Sequence, residues 1–386
     1  MTAAERILSK SLAGSSISSA TWTRVQAGLR DRAFFSATVE NARILHDLRA
    51  ACAAMANGSL SASEMRRDAR KMLERLGYDA GDRAGTIQDL RTRKRLDLIA
   101  DVNVRQARGW AQHVEATSEG ALRAFPAQEL VRVTPRRVPR DWKERWRAAG
   151  GTFLDGGRMV ALKTDPIWSA ISRFGTPYPP FDFNSGMGVK DVSRSEAVKL
   201  GVLDPDAPPQ KATPQGFNDS LTAVVPFTSA DAEEVKWLED TFGDQISISQ
   251  NGIAAWQGQV IQNVVAGVSS VATLGATTSA TLSKVSSALS PAAAANLAKV
   301  RPQITSSVFE QGAFKGLAEG VKGGGAPLDR GDYDLLPSVW RSPDRVRATD
   351  DANISIFELD AFGGGNLQLA VHAQQGFVGY RKETRQ

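Results

Sequence analysis

Along the first third of the chain, apolar side chains return every three or four positions, the period of a helix with one buried face. One helix is predicted through Val25 and Leu29 toward Phe34 and Phe35, with Thr21 or Thr23 as its cap. A second carries Val39, Ala42, Leu45, Leu48 and Cys52 on one face, with Ser36 before it as N-cap and Gly58 after it as a stop. A third opens at Ser61 with Glu64 three residues on, the spacing of a capping box, and runs through Met65, Ala69, Met72 and Leu73 to Leu76. A fourth begins near Thr86, with Asp89 in its first turn, and includes RLDLIADVNVRQARGW at 95–110. Ile99, Val102, Gln106 and Trp110 form its stripe, yet Asp101 and Asn103 lie beside that stripe, and both are poor residues for a helix interior. They imply either a solvated, locally kinked face or a polar tie to a neighbouring segment or a partner.

Beyond residue 120 the period is lost. LVRVT (130–134) and RMVALK (158–163) read as extended pieces. Asp191 or Ser193 caps a short helix through Ala197 and Leu200 that stops at Gly201, and the proline-rich run from Asp204 to Gln215 reads as a linker. Two further helices are expected, SADAEEVKWLEDTFG with Val235, Leu238 and Phe242 on one side, and NGIAAWQGQVIQNVVAGV with Ile253, Trp256, Val260, Val264 and Val268. From Val268 to Gly325 small residues dominate, a composition suited either to thin helices or to a mobile spacer. After a short helix and turn, ISIFELD, NLQLAVHA and GFVGYRKE alternate as three strands of an antiparallel meander. The class expected is α+β: a mainly helical module with extended straps (1–215), a helical, small-residue spacer (216–325) and a small antiparallel α+β domain (326–386).

Composition narrows the chemistry. The 386 residues are 42% hydrophobic and 23% charged, ordinary for a soluble protein, and the net charge of +5 suits an acidic partner without requiring one. A single cysteine, Cys52, excludes an internal disulfide, and its place on an apolar face favours a core thiol. The histidines, His46, His113 and His372, are scattered, so neither a metal nor another cofactor is expected. Neither a secretory signal nor an apolar run long enough for a membrane span is evident.

Three segments remain as candidates. Residues 129–150 hold seven basic side chains, with Trp142 and Trp146 four apart. Arg136, Arg137, Arg140, Lys143 and Arg147 are the candidate surface for an acidic protein or DNA, set against a solvated helix whose tryptophans face inward. YPPFDFNSGMGVKDVSR lacks the spacing of a phosphate loop and reads as a strap, with Phe181 and Phe183 buried and Asp182 bonding outward. At the C-terminal end Glu358, His372, Tyr380, Arg381, Lys382 and Thr384 offer a carboxylate, an imidazole and basic groups on adjacent strands. Glu358, His372 and Arg381 are the candidate set for general acid–base cleavage of RNA, set against an ordinary strand histidine and a basic tail.

RTRKRLDLIADVNVRQARGWAQ, then AFPAQELVRV, then VALKTDPIWSAISRFGTPYPPFDFNSGMGVKDVSRSEAVKLGVL, in this order, resemble the phage Mu protein F-like family of minor head proteins. The resemblance covers roughly residues 20–203, with Arg95, Leu96, Ile99 and Asn103 on its helix pattern. Where many relatives carry a Cys-Arg-Cys strand, this chain has Phe181, Asp182 and Phe183, so no metal or thiol role follows. The resemblance implies a virion protein inside the head near the portal, present in the host cytoplasm during assembly. Its implied partners are the portal and capsid or scaffold proteins and packaged double-stranded DNA, with no membrane. Its implied role is assembly or packaging rather than catalysis. The tail is similar to the barnase–EndoU–colicin–RelE-like nuclease domains fused to such proteins, which implies the alternative of a head-packaged effector with a ribonuclease-like domain. On this resemblance Asn103 is expected to lock the extended segment around 160–185 onto its helix.

Overall fold

The computed structural model describes residues 1–210, 225–226, 232–248, 253–256, 335, 339, 343–360, 365–372 and 376–384. In chain order it contains α1 (Ala3–Leu8), β1 (Ser11–Leu12), α2 (Ser19–Trp22), α3 (Ala27–Asp31), β2 (Ala33–Phe34), α4 (Ala42–Ala56), α5 (Ala62–Arg75), α6 (Arg93–Ala116) and α7 (Glu119–Ala124). Next come β3 (Ala127–Arg132), α8 (Trp142–Ala148), β4 (Val160–Leu162), α9 (Ile167–Ala170), β5 (Met187–Val192) and α10 (Arg194–Lys199). Then follow β6 (Val225–Pro226), α11 (Ala232–Phe242), β7 (Ile246–Ile248), β8 (Ile253–Trp256), β9 (Arg345–Ala348), β10 (Ile354–Asp360), β11 (Gly365–His372) and β12 (Gly376–Thr384). The class is α+β, with a small four-stranded antiparallel sheet toward the C-terminus.

The chain divides into two units that interleave in sequence. One comprises Met1–Ile7, Ala51–Asp68 and Ala80–Gly216, the other Leu8–Ala50, Ala69–Asp79 and Phe217–Gln386. Residues 8–50 therefore group with the later chain rather than with the rest of the expected 1–215 module. The small-residue spacer from 268 to 325 lies outside the described residues, as does most of the helix expected before β9.

Local capping chemistry decides where the helices begin. Ser61 and Glu64 form the expected box: Ser61 N–H donates to Glu64 Oε2 at 2.9 Å and Glu64 N–H to Ser61 Oγ at 3.3 Å. Ser193 caps α10, accepting from Glu196 N–H. Other starts differ from the sequence reading. Residues 21–35 do not make one helix: Ser18 caps the single turn of α2, α3 follows, and Ala33–Phe34 pairs in parallel with β1. α4 begins six residues after Ser36, where Asn41 Oδ1 accepts from the N–H groups of Arg43 and Ile44. α6 begins at Arg93 with Thr92 as its cap, while Asp89 holds the preceding turn by accepting from the N–H groups of Gly85 and Arg91. In each case a short polar side chain satisfies backbone donors outside the helix, which apolar periodicity cannot register.

In the first unit β3 is the centre of an antiparallel sheet of order β4-β3-β5. Its alternating residues face two clusters. Leu130, Ala161 and Met187 pack with Trp142, Trp146, Trp168 and Phe181, while Ala127, Val160 and Val192 pack with Ala197 and Leu203. Two of the three indoles keep a hydrogen bond, Trp146 Nε1 to the Thr152 carbonyl at 2.8 Å and Trp168 Nε1 to the Leu162 carbonyl at 2.7 Å, while Trp142 Nε1 is buried with no partner among the described residues. α6 meets the strap through Gly109, where a Cβ would stand 1.9 Å from the carbonyl oxygen of Pro179. Glycine in a helix costs about 1 kcal/mol relative to alanine, and here the close approach explains it.

In the second unit Trp22 stacks on Phe35 at 4.2 Å and joins Phe242 and Trp256 over a core that includes Val25, Leu29, Leu238 and Ile246. Gln245 closes a reciprocal pair with the backbone of Gly14, at 2.6 and 2.7 Å. Of the helix expected over 251–268, the described part, Ile253–Trp256, is instead the strand β8, between β6 and β7, and residues 257–268 lie outside the described residues. Ala254, Ala255 and Trp256 are all buried, and a short strand covered on both faces shows no alternation to distinguish it from a helix. The C-terminal strands form a meander of order β12-β11-β10-β9, one strand more than the three expected.

Candidate functional site

The basic segment divides once its neighbours are in place. Trp142 and Trp146 are buried on the inner face of α8, so they serve the core and are not available as anchors. Asp182, expected to bond outward, is 1% exposed and turns inward, accepting from Arg145 Nη2 at 3.0 Å and pairing with Arg140 Nε at 3.3 Å. Arg136 is half-buried against Gly186, and its Nε and Nη2 are enclosed with no hydrogen-bond partner among the described residues. Arg147 pairs with Glu144. Arg137 and Lys143 are exposed and have no ion pair among the described residues. Of the five cations chosen from sequence, these two are the unencumbered ones.

Asn103 is buried, and its Nδ2 donates to the carbonyl of Ile99 one turn back in α6 at 2.9 Å. The bond predicted to the 160–185 segment is therefore not the one this donor makes. Back-bonding to position i−4 lets a polar side chain be satisfied within its own helix. The strap is instead held on α6 through Gly109.

Where the end of α6, the strap and β5 come together, a cavity of about 400 Å³ opens in the first unit. Its walls include His113, Glu115, Gln128, Tyr178 and Asp191. Lys163, 2% exposed, fixes this corner: Nζ reaches Asp191 Oδ1 at 2.8 Å and the carbonyl of Ala116, the last residue of α6, at 3.1 Å. A cation at a helix C-terminus satisfies orphan carbonyls and complements the helix dipole. Burial, and then the charge of Lys163, pull the pKa of His113 down to about 4, so its imidazole is neutral at pH 7. The Tyr178 hydroxyl accepts from Arg6 Nη2, and the Tyr178 and His113 rings lie 5.7 Å apart. Gln128 is 3% exposed, and its carboxamide makes no hydrogen bond with any described residue. No sequence signal marked this site, because its residues come from five separated segments.

On the C-terminal sheet, register aligns Arg345, Glu358, Gln368 and Arg381 in one row across four strands. Glu358 is buried and commits both oxygens, Oε2 to Arg345 Nε at 3.0 Å and Oε1 to Arg347 Nε at 2.6 Å. Burial alone would raise its pKa, and the two arginines more than offset this, holding the carboxyl below its ordinary value. Arg381 pairs with Glu383 at 3.1 Å. His372 lies opposite Ile354, four residues along β11 from Gln368, about 13 Å at strand spacing. The register thus brings Glu358 and Arg381 into one row and sets His372 apart, and Glu358 is engaged as an ion-pair partner. A general base needs an oxygen free to take a proton within about 3 Å.

Among the described residues no helix is long and apolar enough to cross a membrane, and no group of histidine, cysteine or carboxylate side chains is arranged to hold a metal ion. Comparison with protein-family models, with curated proteins and with solved structures finds no match.

Proposed function

We propose that this chain is a minor head protein of a tailed phage, bound inside the capsid near the portal, that acts in head assembly or DNA packaging by binding rather than by catalysis. What supports the reading is the resemblance of three ordered segments to the Mu F-like family, together with one observation of the fold. Those segments are structural neighbours: α6 carries the first, β3 the second, and β4, the strap, β5 and α10 the third, all within one unit. Pairing of β3 with β4 and β5, and the Gly109–Pro179 approach, couple them directly.

The experiment is coexpression with the portal protein of the same phage, followed by size-exclusion chromatography. A stable complex is expected, and two separate peaks would overturn the reading. For packaged DNA, Arg137 and Lys143 carry the proposal, because the other three candidates are enclosed or paired. Arg137→Glu with Lys143→Glu is expected to flatten the dependence of log affinity on log salt by about two units on a duplex of arbitrary sequence. An unchanged slope removes DNA from the partners and leaves the portal test standing.

A further inference from the structure

We propose that Arg137, Val138 and Pro139 form a rigid knuckle that docks on a protein partner, with Val138 entering an apolar socket and Arg137 meeting carboxylates on its rim. This gives the protein partner of the reading above its point of contact, and rests on that reading for the partner's identity.

The knuckle is pinned on both sides. Val133 N–H and Thr134 N–H both donate to the Gly186 carbonyl, at 2.9 and 3.0 Å, and the Arg136 side chain lies over Gly186, where a Cβ would stand 3.2 Å from its Cγ. On the other side Arg140 pairs with buried Asp182 at 3.3 Å, and Asp141 caps α8 by accepting from Glu144 N–H at 2.9 Å. Between these ties Arg137, Val138 and Pro139 are all exposed and make no hydrogen bond with any described residue. Pro139 fixes its own φ and biases Val138 toward extended backbone. A loop ordered before it binds loses less entropy in docking.

Two properties of this stretch call for an acidic partner. From Leu130 to Arg140 the sequence holds no carboxylate, and Arg132, Arg137 and Lys143 are exposed with no ion pair among the described residues. The stretch is also short of acceptors. Arg136 Nε and Nη2 before the knuckle, and Trp142 Nε1 after it, are enclosed donors with no acceptor among the described residues. Unmade buried donors are costly, so a surface that brings oxygens is favoured over one that brings N–H groups. A DNA duplex and an acidic protein both bring oxygens, and Val138 decides between them. It is 81% exposed and Val133, in the same loop, 61%, whereas no other large apolar side chain among the described residues exceeds 48%. A phosphate backbone gives a valine nothing apolar to bury against, while a protein interface sets an apolar centre inside a polar rim. An apolar tip beside unpaired cations is the complement of an apolar socket with an acidic rim.

Coexpression of the full chain with the portal protein of the same phage, followed by titration of the purified partners, tests the contact. Val138→Ser is expected to weaken the complex roughly tenfold, the loss of one buried valine side chain. Arg137→Glu is expected to weaken it roughly tenfold or more at low salt, and less at high salt. Both residues are exposed, so the variants should keep the wild-type melting temperature, which is checked first. Val138→Ser removes no charge, so it should leave duplex binding and its salt slope unchanged. A complex indifferent to Val138→Ser overturns the proposal and leaves the portal reading standing, whereas no complex with the wild-type chain overturns both. Duplex binding weakened by Val138→Ser gives the knuckle to DNA and also overturns the proposal.

Discussion

Asp182 in the strap and Glu358 on the C-terminal sheet are both buried carboxylates, each held by two arginines, yet they are built differently. Asp182 lies in a loop, and its arginines come from a segment about forty residues earlier that reads in sequence as a free basic surface. Glu358 lies in the middle of a strand, and its arginines come from the neighbouring strand in register. Asp182 is 1% exposed and its partners Arg145 and Arg140 are 34% and 43% exposed, whereas Glu358 is 8% exposed and both its partners 53%. In the sheet, water can therefore replace a lost partner more readily than in the strap. An arginine-rich sequence thus becomes a binding surface only after its internal carboxylates have taken their share.

The contrast can be broken first at Asp182. Asp182→Ala leaves two guanidinium groups without their buried counterion and is expected to cost about 3–5 kcal/mol, measured by urea unfolding. A loss similar to that of Glu358→Ala would mean that solvent access does not separate the two sites.

Acid should next separate the α6 corner around His113 from the C-terminal sheet. His113 has a folded-state pKa near 4 against an ordinary 6.5, so the unfolded chain takes up its proton first. Its contribution to stability is complete above pH 6.5 and is lost as pH falls toward 4, by up to about 3 kcal/mol. Glu358 has its pKa held down from 4.5, so its contribution is complete above that value and is lost only below it, as pH falls through the folded pKa. Hydrogen exchange read peptide by peptide should show the α6 region loosening between pH 6.5 and 4 while β9 and β10 stay protected. Simultaneous loosening would contradict this order.

Gly109→Ala probes the strap without touching a charge. The added methyl meets the Pro179 carbonyl, so a loss of about 2–3 kcal/mol is expected despite alanine's better helix propensity, and calorimetry would read it. The smallest effect should come from Glu358→Ala, about 1–2 kcal/mol by urea unfolding, since Arg345 keeps Asp360 at 3.0 Å and Arg347 is solvated.

What the sequence disclosed follows from range. The Ser61–Glu64 box, the cap offered at Ser193 and the strand at 354–360 rest on residues a few positions apart, where spacing is nearly the whole of the physics. The inward turn of Asp182, the Gly109 approach and the Gln128 cavity depend on segments 37 to 70 positions apart meeting in space. Ile253–Trp256 failed for a different reason: a doubly covered strand and a buried helix share the same local pattern. The candidate site was therefore half legible. Arg137 and Lys143 were among the cations chosen, but neighbours remote in sequence distinguish them from Arg136 and Arg140, and only Arg147 is taken by a local partner, Glu144.

The pairing of Gln245 with Gly14, 231 positions apart, and of Trp256 with the Leu29 carbonyl, 227 apart, also bears on how the chain is made. At ribosomal speeds of roughly 5–20 residues per second, Gly14 and Leu29 wait about 10–50 s for those partners to be synthesised. During that interval Trp22, Phe35 and Leu29 have no α11 or β8 to cover them. The nascent segment is thus a natural substrate for a holdase, and its folding should lag that of the unit built around β3.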